Sequence, residues 1–224
     1  AASVIQKLET RLKQPRICIL GGTSFNKSDS EAICRSLGQK FAEKVRAYGA
    51  EVSVITGGNP GVQQVFSEAF GRSECLYQIL PEGKESGYKV GTDLPVCATG
   101  EVRKEVMGGI GGFYVTIEGG PGVAAEANLA AKRKAVIVAL RRTGGASGGM
   151  FDFPKSGLES SERPPYASFE QWQMFGNETA DINATTSALA TVLEGWLRDQ
   201  RKTSLGAMPG CCGCFSGILR SAKG

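Results

Sequence analysis

Three glycine-rich stretches, each following a hydrophobic run, are the part of this sequence best suited to holding an anion. They are Gly21-Gly22 followed by Thr23 and Ser24, GGNPG at 57–61 (Gly57, Gly58, Asn59, Gly61), and GGPG at 119–122 (Gly119, Gly120, Gly122). Glycine lets a backbone come close to a phosphate, and a helix starting just beyond it presents free N–H groups and the positive end of its dipole. A tight strand-to-helix turn needs glycine too, so one such turn says little; three at equivalent strand ends favour binding. The loop RRTGGASGG at 141–149 adds Arg141, Arg142 and Thr143 to the same edge. Its guanidinium groups could clamp a phosphate through paired N–H groups, or it could be a solvated loop.

Glu126 is the one acid in PGVAAEANLAAK, four residues past Gly122, so one helical turn returns it to the ligand side. Its neighbours are mostly alanine, which suits a partly enclosed carboxylate. Such a group could act as a general base, or stabilise an oxocarbenium-like ribosyl cation as an N-glycosidic bond breaks. The plainer alternative is an acid complementing the helix dipole. Arg103 and Lys104, early in GEVRKEVMGG, either face a phosphate or are surface charge.

Several chemistries drop out. The chain has no histidine, which removes His general bases, His metal ligands and Ser–His or Cys–His nucleophile pairs. Neither GGNPGV nor GGPGVAAE carries the Lys-Ser/Thr of an ATP-binding P-loop, and neither has the GxGxxG spacing of a dinucleotide site. CCGC at 211–214 is too compressed for usual zinc spacing. Cys18, Cys34, Cys75 and Cys97 sit in hydrophobic segments and read as buried thiols of a reducing compartment, cytoplasm or organelle interior. The chain begins AASV, which suits a processed or trimmed N-terminus.

The elements that would position these residues alternate. RICIL (16–20), EVSVIT (51–56), LYQIL (76–80), a short VCA (96–98), FYVTI (113–117) and AVIVAL (135–140) read as strands. Helices are expected at about 29–48, with apolar Ile33, Leu37, Phe41 and Val45, at 62–70, after 100, and after Pro121. Strands alternating with helices imply α/β architecture, a doubly wound, mostly parallel Rossmann-like sheet covered on both faces. The expected organisation is a helical extension at 1–15, the binding domain at 16–155, and a surface loop with a C-terminal helix (about 184–201) within 156–203. A Gly/Cys-rich tail at 204–224 follows. The length suits one domain, and the net charge of +4 is too mild and dispersed to argue for nucleic acid. No run approaches the roughly 20 apolar residues of a membrane span.

The motifs together resemble the LONELY GUY and lysine decarboxylase-like Rossmann proteins, a group that includes cytokinin nucleotide phosphoribohydrolases and molybdenum cofactor carrier proteins. ICILGGTS, VITGGNPGVQQ, GEVRKEVM and GGPGVAAE carry the resemblance over about residues 16–142, and GPGVAAEANLAAKRKAVIVAL is most similar to the carrier branch. The resemblance implies that Arg103 and Glu126 match the catalytic pair of the hydrolases, and that Gly119, Gly120 and Gly122 form the phosphate loop. Glu118 and Val123 stand where the family has Pro and Thr, and Glu101 where it often has His; the two acids would repel a phosphate. A small phosphorylated ligand is expected, either a nucleotide or a phosphorylated pterin-type molecule, with no cofactor required and a homodimeric state. Three functions stay open. One is a nucleotide- or phosphate-ligand-binding protein that could also hydrolyse a nucleoside 5'-monophosphate. The second is a molybdenum-cofactor-type carrier without turnover. The third is a catalytically degenerate subunit whose 204–224 tail docks on a larger assembly.

Overall fold

A computed structural model describes residues 1–48 and 51–206, with side chains up to residue 203. The 204–224 tail and its cysteines therefore lie outside the described side chains. Six strands form one all-parallel sheet: β1 (Arg16–Gly21), β2 (Ser53–Thr56), β3 (Leu76–Pro81), β4 (Thr92–Cys97), β5 (Phe113–Ile117) and β6 (Val136–Leu140). Their order is β4-β3-β2-β1-β5-β6. The helices are α1 (Ala2–Arg11), α2 (Ser30–Arg46), α3 (Val62–Phe70), α4 (Gly100–Ile110), α5 (Pro121–Lys132), α6 (Phe169–Met174) and α7 (Ile182–Gly206).

Alternation along the strands builds two cores. Ile17 and Ile19 of β1 join Phe113, Val115 and Ile117 of β5 on the face covered by α2, α3 and α7. Cys18 and Leu20 join Tyr114, Ile137 and Ala139 on the other, under α1, α4 and α5. Both faces are dry, so the strands read as continuous apolar runs rather than as an alternating pattern. The four-residue spacing of Ile33, Leu37, Phe41 and Val45 sets the buried stripe of α2. Leu8 and Leu12 bury the N-terminal helical segment in the second core, and Trp196 of α7 packs on Phe113 with ring centroids 5.2 Å apart.

Two expectations are corrected. The fourth strand is not a short VCA but Thr92–Cys97; it is the sheet edge, half exposed, with Pro95 and polar residues that disguised it as a turn. The C-terminal helix is longer than 184–201, because Asp181 Oδ1 accepts the Ala184 N–H (2.8 Å) and starts it earlier. The stretch from 150 to 175 is loop-like as expected, with α6 inside it held by a Ser168–Gln171 capping box. Among the described residues Cys18, Cys34, Cys75 and Cys97 are free and buried, and no helix is long and apolar enough to cross a membrane.

Candidate functional site

The strand order reverses at β1. The chain leaves β1 through α2 toward β2, and after β4 it returns through α4 to β5 on the other side of β1. Loops diverging from neighbouring strand ends open a crevice there, where ligands of open α/β sheets bind. The β1–β5 register ends at Gly21↔Ile117, which sets Gly22 against Glu118 and Gly119. The Gly22 N–H donates to Ile117 O (3.3 Å), and a Cβ on Gly22 would lie 3.5 Å from the Gly119 nitrogen.

A cleft of about 440 Å³ occupies this position, lined by Gly22, Thr23, Ser24, Asn26, Gly119, Gly120, Gly145, Met150 and Phe151. The N–H groups of Thr23, Ser24, Gly119 and Gly120 donate to no acceptor among the described residues. Gly119 has φ +95, and its missing side chain would meet Val123 at 2.6 Å, so only glycine fits. Gly120 caps α5 with its carbonyl, accepting from Val123 and Ala124, yet its Cβ position is open space.

Glu118 is engaged by the neighbouring loop rather than left without partners. It is 1% exposed, and its carboxylate accepts the backbone N–H groups of Asn26 (3.1 and 2.9 Å) and Lys27 (3.0 Å) and the Asn26 amide (3.0 Å). Its oxygens are thereby satisfied by hydrogen bonds, and it fixes the loop forming one wall. Glu101 is at the surface, paired with Lys104 (2.7 Å).

The 144–149 loop is sewn to the β5 turn. Ala146 N–H donates to Gly119 O (2.7 Å), while Ser147 N–H and Oγ donate to Glu118 O (3.1 and 2.8 Å). Thr143 and Arg141, expected at the ligand, face elsewhere. The Thr143 hydroxyl donates to Leu140 O (2.6 Å) and accepts from Glu118 N (2.8 Å), so it is fully committed inside the fold. Arg141 donates to Trp172 O and stacks over the Trp172 ring at 4.6 Å, because the 150–175 excursion packs back on it. Its neighbour Arg142 is buried and paired with Asp29 (2.7 Å).

The GGNPG turn is a second place where geometry departs from expectation. Gln63 Oε1 accepts the N–H groups of Gly57 (3.0 Å) and Asn59 (3.1 Å). Arg103 donates to Gly57 O (2.7 Å) and Asn59 Oδ1 (3.0 Å), and Tyr88 donates to Asn59 O. The Gly57 and Asn59 amides are therefore occupied, while Gly58 and Gly61, whose N–H groups donate to no acceptor among the described residues, lie outside the cleft lining. Gly58 packs against Leu80, and Gly61 presses against Gly22 and Thr23. These glycines support the β1 turn rather than line the cleft.

Glu126 lies on α5 against α4, 5% exposed, with no hydrogen bond to its carboxylate among the described residues. Burial pushes it up to about 7, while the charges of Arg103 and Lys104 pull the other way. It is thus poised to take or give a proton near neutrality. Lys104 approaches the first turn of α5, its Cε 3.9 Å from a Cβ position at Gly122. Val123 is buried among the α5 core residues. Glu126, Arg103 and Lys104 do not line the cleft. Asn26, Met150 and Phe151 do, and sequence reasoning missed them: nothing in NKSDS or GGMFDF announces a wall.

Phe151 and Asp152 both adopt positive φ (62 and 52), a conformation costing non-glycine residues about 1 kcal/mol or more each. Met150 and Phe151 are nevertheless 56% and 47% exposed. Among the described residues no group of His, Cys, Asp or Glu is arranged to hold a metal ion.

Solved structures similar to the chain include the molybdenum cofactor carrier protein of Chlamydomonas reinhardtii (21% identity over 81% of this chain and 98% of that one, TM-score 0.49). They also include the molybdenum cofactor binding protein of Rippkaea orientalis (22%, 56% and 76%, 0.45) and the structural-genomics target TM1055 (23%, 60% and 78%, 0.47). No curated protein matches. The family model of the SLOG cluster4 family matches residues 14–163, and the chain belongs to that family, within the LOG-like and DprA-like superfamily to which its motifs pointed.

Proposed function

We propose that the protein binds a small phosphorylated ligand, a nucleoside 5'-monophosphate or a phosphorylated pterin-type molecule, in the cleft between the β1 and β5 turns. The observation that carries this reading is the set of unpaired backbone N–H groups of Thr23, Ser24, Gly119 and Gly120 around one crevice at the strand-order reversal. Backbone amides beside the N-terminus of α5 offer fixed partial positive charge to a phosphate. Isothermal titration with AMP and with ribose 5-phosphate tests it: saturable binding of both is expected, and absence of both sinks the reading.

Binding without turnover is the form we favour. Arg103 is engaged by the GGNPG turn, and Glu126 lies outside the cleft lining. Incubation with AMP is expected to release no adenine. Release that disappears in Glu126→Gln would instead establish the hydrolase, with Glu126 as proton carrier at the glycosidic centre and Arg103 polarising it. The homodimer belongs to the same proposal, measurable by light scattering. Docking of the 204–224 segment on a partner is tested by deleting it and following co-purification.

A further inference from the structure

Of the large hydrophobic side chains exposed among the described residues (Met150, Phe151 and Phe169), two adjoin each other in sequence and line the same cleft as the free amides. Phe151 is also the first of two consecutive non-glycine residues at positive φ. The backbone that holds it there is fastened on both sides. Upstream, Met150 N–H donates to Gly145 O (3.2 Å), in the loop sewn to Gly119. Downstream, Asn128 Nδ2 of α5 donates to Asp152 O (2.9 Å), and Phe153 is buried in the core against Gly157. A surface loop free to relax would adopt ordinary dihedrals and turn its aromatic ring toward the core. Here the surroundings fix the unfavourable conformation, and its result is an apolar ring presented beside a phosphate-sized cradle.

We infer that Met150 and Phe151 form a platform for a planar heteroaromatic ring of the ligand whose phosphate rests on the Thr23–Ser24 and Gly119–Gly120 amides. The inference rests on the binding function proposed above and adds a specificity element to it. Phe151 supplies a rigid π-face, and Met150 a polarizable flank that adapts to the ring. A phosphosugar without a ring gains nothing from either.

The test compares AMP, a monophosphorylated neopterin and ribose 5-phosphate by titration calorimetry on the full chain. Wild-type protein is expected to bind one of the two ring-bearing ligands at least about 10-fold more tightly than ribose 5-phosphate. Which one it prefers separates a nucleobase from a pterin. Phe151→Gly, which keeps the positive φ without strain, is expected to remove that preference, leave ribose 5-phosphate binding within about 2-fold, and retain or raise Tm. Phe151→Trp is expected to keep the preference and to show ligand-dependent quenching of the new indole. Equal affinity of the wild type for all three would overturn the platform while leaving the cradle standing. Binding of none removes both. If Phe151→Gly leaves ring-ligand affinity unchanged and instead dissociates a dimer, Phe151 belongs to an interface and the inference fails.

Discussion

The GGNPG and GGPG turns look interchangeable as text, and the fold makes opposite use of them. After β2, the glycines let the chain fold tightly enough for Gln63 to take up the Gly57 and Asn59 N–H groups and for Arg103 and Tyr88 to reach the Gly57 and Asn59 carbonyls. After β5, Gly119 and Gly120 line a cleft and their N–H groups donate to no acceptor among the described residues. The difference follows from position. The β5 turn borders the crevice where strand order reverses, whereas the β2 turn lies beside it and is filled by the protein's own side chains. A glycine-rich turn therefore marks a close approach of backbone, and the approaching group can be a ligand or the next loop.

Substitutions can break this contrast, the strongest first. Gly61→Ala would place a Cβ 2.5 Å from the Thr23 carbonyl carbon at φ +74, and is expected to destabilise by about 4 kcal/mol in urea unfolding, with ligand binding lost as the β1 turn shifts. Gly120→Asp meets open space and adds an N-cap acid to α5. Helix stability should hold or rise by about 0.5 kcal/mol, while phosphate-ligand affinity drops about 100-fold, or about 2.7 kcal/mol, through repulsion and blockage. Preserved affinity in that variant would remove the β5 turn from the site. Gln63→Ala strips the acceptor from the Gly57 and Asn59 amides and should cost about 2 kcal/mol of stability with little change in affinity. A large loss of affinity there would return the β2 turn to the site.

The smallest effect concerns Glu126, near the charge of Arg103, which is fixed by the β2 turn. Its carboxyl is raised in the folded state, to about 7 from 4.5, so the folded chain holds a proton that the unfolded chain has released between those values. Stability should fall as pH rises through that window and level off above it. Glu126→Gln should flatten this slope and gain about 1 kcal/mol at pH 8, since the amide also bears a burial cost. Urea midpoints measured from pH 5 to pH 8 check this.

Much of the fold was legible because dry-faced parallel strands leave unmistakable apolar runs, as FYVTI and RICIL do, and because Gly and Pro punctuate their ends. Thr92–Cys97 was not, since an edge strand carries a proline and polar residues. At the site, Thr23, Ser24, Gly119 and Gly120 could be singled out locally, because a glycine turn before a helix brings backbone N–H groups within reach of an approaching group. Thr143 and Arg141 could not. Their roles depend on Glu118 and Trp172, whose approach is set by long-range packing.

The sequence by itself determined the parallel α/β sheet, its family, the absence of histidine from the chain and the glycine turns at the strand ends. Periodicity and residue type carry that information within a few neighbours. Only the tertiary structure decided which glycine turn lines the cleft, that Glu118 is hydrogen-bonded by Asn26 and Lys27, that burial raises Glu126 to about 7, and that Phe151 stands at the cleft. Each of those depends on a partner distant in sequence, and burial, hydrogen-bond completion and desolvation exist only once the chain has brought the partners together.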